Sequence, residues 1–265
     1  VTEQLKFQLF NKYIFQINII SNFSIKKMKH KTIIEPFKIK SVEPIYVTSE
    51  QQRKEYLKAA KNNPFLLKSD QVIIDFLTDS GTSAMSAEQW AGIMRGDESY
   101  AGSKSWERME NAVKHLTGME FILPTHQGRA AERIIYGHLG GSGKTFISNT
   151  HFDTTRANIE FSGAEALDIA IPESNAPSLS HPFKGNIDIG RLENLINEKG
   201  AENIGAVILT VTNNSGGGQP VSMKNTREVS AICKKSNVLL LLDCCRVAEN
   251  SYFIKHREEG FEDKT

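Results

Sequence analysis

The sequence predicts an α/β protein built on a mostly parallel central sheet flanked by helices. Three observations carry that expectation. Strand-like and helix-like segments alternate through the second half of the chain, the pattern of βαβ units. Residues 204–211 (IGAVILTV) form a near-continuous apolar run rich in β-branched side chains, as a strand buried on both faces requires. Residues 238–243 (VLLLLD) repeat the pattern and end in a carboxylate.

Each element follows from its own residues. Residues 48–62 have helical character, and 71–77 (QVIIDFL) read as a short strand. Helices are expected over 86–94 and 106–116; in the second, Met109, Val113 and Leu116 recur at spacings of four and three. Residues 121–123 read as a strand, followed by the polar turn 124–129 and a helix over 130–139. Strands at 145–148 and 166–171, a helix at 188–199, the strand 204–211, a helix at 224–235 and the strand 238–243 complete the series. The first 34 residues stand apart as an N-terminal extension outside the fold, and 35–265 read as one unit. Val1 to Glu35 contain no Gly, Ala, Pro, Asp or Arg, and Met28 is a plausible start.

Composition narrows the functional classes. Thirty-two basic and 31 acidic residues give a net charge of +1, so no electrostatic argument favours nucleic acid or an anionic membrane as partner. The apolar stretch 7–20 is interrupted by Gln8, Asn11, Lys12, Gln16 and Asn18, which argues against a membrane span. Cys233, Cys244 and Cys245 form no legible disulfide framework and no zinc spacing, pointing to a reducing compartment, the cytoplasm. The seven histidines show no metal-ligand spacing.

In open parallel sheets ligands sit outside the carboxyl ends of the strands. After 121–123 comes Thr125-His126-Gln127-Gly128-Arg129, where a glycine at a helix start and a guanidinium suit a phosphate. A plain strand-to-helix turn fits the same residues. After 204–211 come Asn213, Asn214 and three glycines, readable also as a flexible connection. At the end of 238–243, Asp243 would be costly to bury without a cation. A protonated pyridine nitrogen and Arg246 are both eligible partners. The segment 140–145 (GGSGKT) imitates a nucleotide-binding loop, but a helix precedes it and a strand follows, the reverse of what that loop needs.

Taken together, these segments resemble the aromatic amino acid β-eliminating lyases, the fold-type I family of tryptophanase and tyrosine phenol-lyase. The stretches that carry the resemblance are EPFKIKSVEP (35–44), NPFLL (63–67), LTDSGT (77–82), GDESYAGS (96–103), PTHQGRAAE (124–132), HFDTTR (151–156), PFKGNID (182–188), GGQPVSM (217–223) and 246–265. They lie in family order along nearly all of 35–265. The resemblance implies a pyridoxal phosphate enzyme whose large domain is mostly contained in this chain.

Residue by residue, the resemblance implies that Gln127, Gly128 and Arg129 hold the cofactor phosphate. It implies that Phe152 stacks on the pyridine ring, Asn214 contacts its phenolic oxygen, Asp243 its nitrogen, and Arg246 lies beside it. Thr82 would meet the substrate carboxylate, Tyr100 would act as general acid in a neighbouring subunit's site, and Glu98 would ligate a monovalent cation, potassium. There are two departures from the family pattern. Cys244 and Cys245 follow Asp243 where a small residue is usual, and Asn158 stands where a histidine is common.

The implied reaction is β-elimination of L-tryptophan to indole, pyruvate and ammonia, by a homotetramer. Asp153, after the ring-stacking Phe152, favours tryptophan. The alternative is a tyrosine phenol-lyase, toward which AMSAEQWAG (84–92) and NEKGAEN (197–203) lean. The resemblance also places the Schiff-base lysine in a Ser-x-Lys-Lys segment beyond Thr265, a motif that Lys255 and Lys264 do not occupy. The chain is therefore expected to be truncated before the end of the large domain and before the C-terminal small domain, to be inactive alone, and to expose surface that lowers its solubility; a non-catalytic remnant is the remaining alternative.

Overall fold

A computed structural model describes residues 46–75 and 85–264. The expected elements and motifs at 1–45 and 76–84, Thr82 among them, lie outside the described residues. The chain divides into two compact units, Val1–Met109 and Glu110–Thr265.

The first unit contains two short helices whose starts are written in the sequence. Helix α1 (Glu50–Ala59) is capped by Ser49, whose hydroxyl accepts from the Gln52 N–H while the Gln52 side chain accepts from the Ser49 N–H. Helix α2 (Ala87–Met94) repeats this box with Ser86 and Gln89. The strand expected at 71–77 is not formed over its described part. Ser69–Gln71 is a 3-10 turn instead, and the Gln71 side chain closes it by accepting from the Lys68 N–H. An apolar run becomes a strand only where a neighbouring strand accepts its backbone bonds. Among the described residues of this unit there is none. Helix α3 (Lys104–Thr117) crosses the boundary between the units.

In the second unit the strand expected at 121–123 is likewise absent. Phe121 and Leu123 lie exposed in irregular chain leading to helix α4 (Gly128–Leu139). There follow β1 (Thr145–Ser148), α5 (Asp153–Phe161), β2 (Glu165–Asp168), α6 (Ile189–Lys199), β3 (Ile204–Thr210), α7 (Met223–Lys235), β4 (Leu240–Asp243) and α8 (Val247–Arg257). All four strands are parallel, in the order β2-β1-β3-β4. Strand β2 ends at Asp168 rather than 171, because Ala170 leaves the parallel ladder for an antiparallel bridge to Ile187. The turn joining α4 to β1 is the glycine-rich 140–144 segment, as its reversed context requires.

Alternation along the strands fills two cores. Ile147, Val207 and Leu209 point to one face and pack with Ile187, Leu192, Ile196 and Val229 from around α6 and α7. Phe146, Ala206 and Ile208 point to the other and pack with Tyr136 of α4 and Ile159 of α5. Burial on both faces is what the continuous apolar run in β3 encodes. The Tyr136 and Phe146 rings meet edge-on at 5.4 Å.

Three buried asparagines do the work of missing strand neighbours. Asn149 accepts from the Thr210 N–H (3.0 Å) and donates to the Thr210 and Gly185 carbonyls (3.0 and 2.8 Å). Asn225 pairs with both backbone groups of Ile187 at 2.9 Å. Asn250 pairs with both of Val221, at 2.8 and 2.9 Å. Each satisfies a buried donor and acceptor at once, which a carboxamide does with its two ends.

Candidate active site

The site is built where β1, β3 and β4 end. Backbone bonds fix the β3 and β4 ends side by side: the Val211 N–H donates to the Asp243 carbonyl (2.9 Å) and the Arg246 N–H to the Val211 carbonyl (3.0 Å). The β1 end is tied to the loop after β3 by two side chains. Thr150 Oγ1 donates to Asn213 Oδ1 (2.5 Å), and Ser215 Oγ donates to the His151 carbonyl (3.0 Å). Asn213 also accepts from the Gly216 N–H (3.2 Å), so the glycine-rich segment is a held turn and not a slack connection.

A groove of about 280 Å³ opens between α4 and β4, lined among others by Gly128, Glu132, Tyr136, Leu241, Asp243 and Cys244. It brings together two of the residues singled out in the sequence, Gly128 at the α4 start and Asp243 at the β4 end. Burial raises the Asp243 carboxyl above its ordinary value, and the nearby Glu132 adds to this. The Cys245 N–H and the Arg246 charge oppose it without cancelling it. A half-buried carboxylate in this state is poised to receive a cation or a proton.

Helix α4 begins at Gly128, which also lines the groove. Gln127 is the N-cap and makes no side-chain capping bond, and Gln127, Gly128 and Arg129 are all exposed. A Cβ added at Gly128 would meet nothing within 4 Å, so packing does not demand the glycine. What it leaves is open space before a positive helix end, with a guanidinium beside it, and that arrangement suits an anion.

The other expected residues do not line this groove. Phe152 is the half-buried N-cap of α5, and Asp153, exposed, is that helix's first residue. The Asp153 carboxylate accepts from the Thr154 N–H (2.6 Å). Asn214 lies in the turn after β3, where its carbonyl accepts from the Gly217 N–H (2.9 Å), and Arg246 caps α8. All belong to loops leaving the carboxyl ends of the strands. Glu98 and Tyr100 lie in the first unit, both exposed. Their loop is anchored by Asp97, whose carboxylate accepts from the Lys104 and Ser105 N–H groups (2.8 and 2.9 Å) and from Ser105 Oγ (2.5 Å). These bonds hold the Asp97 carboxyl at about 2.

Several residues with work to do at the strand ends escape a reading of the sequence. His151 is buried, and its Nδ1 lies 2.6 Å from Asp168 Oδ1, whose Oδ2 meets Arg156 at 2.6 Å. Burial alone would raise the Asp168 carboxyl. The hydrogen bonds from the His151 ring and N–H, with the charge of Arg156, outweigh that and hold it low. Among the described residues, His151 Nε2 and Asn213 Nδ2 are buried with no hydrogen-bond partner, each one residue before an expected ring contact, Phe152 and Asn214. Glu132 accepts from Thr155 Oγ1 (2.6 Å) and more distantly from Asn158 Nδ2 (3.5 Å). The signals were there only as neighbours: Glu132 closes the PTHQGRAAE stretch, and His151, Thr155 and Arg156 belong to HFDTTR.

The family model described as Beta-eliminating lyase matches residues 75–260. The chain is 58% identical over 234 residues to the tryptophanase of Salinibacter ruber, covering 88% of this chain and 50% of that protein. It is 54% identical to the tryptophanase of Rhodobacter capsulatus (89% and 52% covered) and 48% identical to the tyrosine phenol-lyase of Pasteurella multocida (87% and 50%). The chain spans about half the length of the curated relatives it matches. A family match over residues 75–260, with relatives 48–58% identical along most of the chain, leads to one conclusion: the chain belongs to the β-eliminating lyase family.

Proposed function

We propose that this chain supplies most of the cofactor-holding domain of a pyridoxal phosphate-dependent carbon–carbon lyase that cleaves L-tryptophan to indole, pyruvate and ammonia. The observation that carries the reading is the groove: a desolvated carboxylate, Asp243, and an open helix start, Gly128, line one cavity. Pyridoxal phosphate offers the complementary pair, a ring nitrogen that can carry a proton and a phosphate dianion. The residues present fit that group. The unpartnered amide of Asn213 and ring nitrogen of His151 mark polar capacity left over at the same strand ends.

In this reading Arg129 and the first N–H groups of α4 bind the phosphate, while Asp243 accepts the hydrogen bond of the ring-nitrogen proton and keeps it in place. Phe152 covers the ring, Asn214 meets its phenolic oxygen, and Arg246 lies beside it. When bound, the group supplies an electron sink for the pair released at the substrate's Cα. Tyr100 then gives a proton to the departing aromatic carbon in a neighbouring subunit's site. Thr82 receives the substrate carboxylate, and Glu98 ligates potassium, a hard cation suited to a carboxylate oxygen. A homotetramer in the cytoplasm belongs to the same proposal.

Tryptophan is preferred to tyrosine on Asp153, with support from the identities of 58% and 54% to tryptophanases against 48% to a tyrosine phenol-lyase. The segment 84–92 favours the second substrate. The test is to assay the full-length protein for indole from tryptophan and phenol from tyrosine. Indole formation is expected; phenol alone overturns the preference, and neither product overturns the reaction.

A further inference from the structure

The groove holds a second carboxylate to which the family resemblance assigns no role. Glu132, on the second turn of α4, lines the same cavity of about 280 Å³ as Asp243. Its two hydrogen-bond donors, the Thr155 hydroxyl (2.6 Å) and the Asn158 amide (3.5 Å), are neutral. Among the described residues no lysine or arginine forms an ion pair with it. Neutral donors orient a carboxylate and leave its charge intact, so its field reaches across the groove. Its neighbours register that field. Behind burial, Glu132 is the next cause raising the Tyr136 hydroxyl, and it contributes to the upward shift of Asp243. Two carboxylates facing one small, partly desolvated cavity repel each other until something positive enters.

We propose that Glu132 is a positioning residue for the ring-nitrogen end of the cofactor, a second negative charge that favours the protonated ring nitrogen held by Asp243. The proposal rests on the reading of this groove as a pyridoxal phosphate site. Thr155 and Asn158 of α5 aim the Glu132 carboxylate, so the departure at Asn158 falls on a residue that helps set the field. Glu132 repels the phosphate as well, so its effect on overall affinity is mixed. What isolates its role is the preference for a ring that can carry a proton over one that cannot.

The experiment measures Kd on the full-length apo protein by equilibrium dialysis, for pyridoxal phosphate and for its 1-deaza analogue, which has carbon in place of the ring nitrogen. Glu132→Gln keeps the shape and an acceptor for Thr155 but removes the charge. It is expected to reduce the preference for pyridoxal phosphate about three- to tenfold, the scale of half to one unit in the ring-nitrogen pKa. Glu132→Asp, which keeps the charge, should retain the preference. A merely structural role would shift both ligands together. An unchanged preference in Glu132→Gln, alongside a loss in Asp243→Asn, overturns the proposal and leaves the cofactor reading standing. Absence of saturable pyridoxal phosphate binding by the unaltered protein overturns both.

Discussion

Replacing Asn225 by alanine tests whether a side-chain amide stands in for a strand neighbour. Ile187 is fully buried, and both its N–H and its C=O are bonded at 2.9 Å to the Asn225 carboxamide. Removing that amide strands two backbone groups where water has no ready access. Each buried group left without a partner costs about 1–3 kcal/mol, so the pair costs about 2–6 kcal/mol, a large part of the stability of an ordinary domain. Asn194→Ala, on the exposed face of α6, should change stability by less than about 0.5 kcal/mol. Urea unfolding followed by far-UV circular dichroism measures both, and amide exchange at Leu192, packed beside Ile187 in the same core, reports the local loss. If Asn225→Ala matches Asn194→Ala within error, the bidentate clamp is not a stabilising element and the accounting behind it is wrong.

Three further outcomes are expected. Because the folded Asp97 carboxyl sits at about 2, below its ordinary 3.8, its contribution is fully present above pH 4 and disappears as pH falls through about 2; a carboxyl-carbon NMR titration with a midpoint near 3.8 refutes this. Gly205→Ala would place a Cβ 2.6 Å from the buried Phe146 ring, so a loss of about 1–3 kcal/mol in urea unfolding is expected, and neutrality would mean the sheet yields there. Cys233 is buried and its thiol is pushed up to about 11 from 9, which lowers its thiolate fraction near neutral pH about 100-fold; iodoacetamide should modify the exposed Cys244 and Cys245 first, and equal labelling of all three would contradict the burial.

The sheet was legible because its strands are buried on both faces, and such burial writes itself as β-branched runs like 204–210. Helices α1 and α2 were expected from the helical character of 48–62 and 86–94, and the structure adds the Ser-x-x-Gln box that fixes each start. The runs at 71–75 and 121–123 misled for one physical reason: strand propensity states what a segment tolerates, whereas a strand also needs a partner for its backbone. Helix α5 was missed because its DTTR start is poor in strong helix formers and its N-cap, Phe152, supplies no capping oxygen. In the site, Gly128 and Asp243 were legible because a helix start and a strand end constrain residue type by themselves. Glu132 and His151 were not, and Asn213 was legible as part of a strand-end loop but not by its bonds. Their roles arise from neighbours 17 to 63 positions away, such as Asp168 for His151 and Thr150 for Asn213.

The asparagine clamps also set an order of events in folding. Asn149 reaches Thr210 across 61 positions, Asn225 reaches Ile187 across 38, and Asn250 reaches Val221 across 29. None can close until the strands that carry these segments have met, since each span must lose its loop entropy before one amide can reward it. The strand-end platform is therefore expected to be the last part of this unit to consolidate, with φ-values near zero at Asn225 and Asn250 while Val207 in β3 scores high. The clamped loops would then be late products of folding, fastened onto a sheet that has already formed.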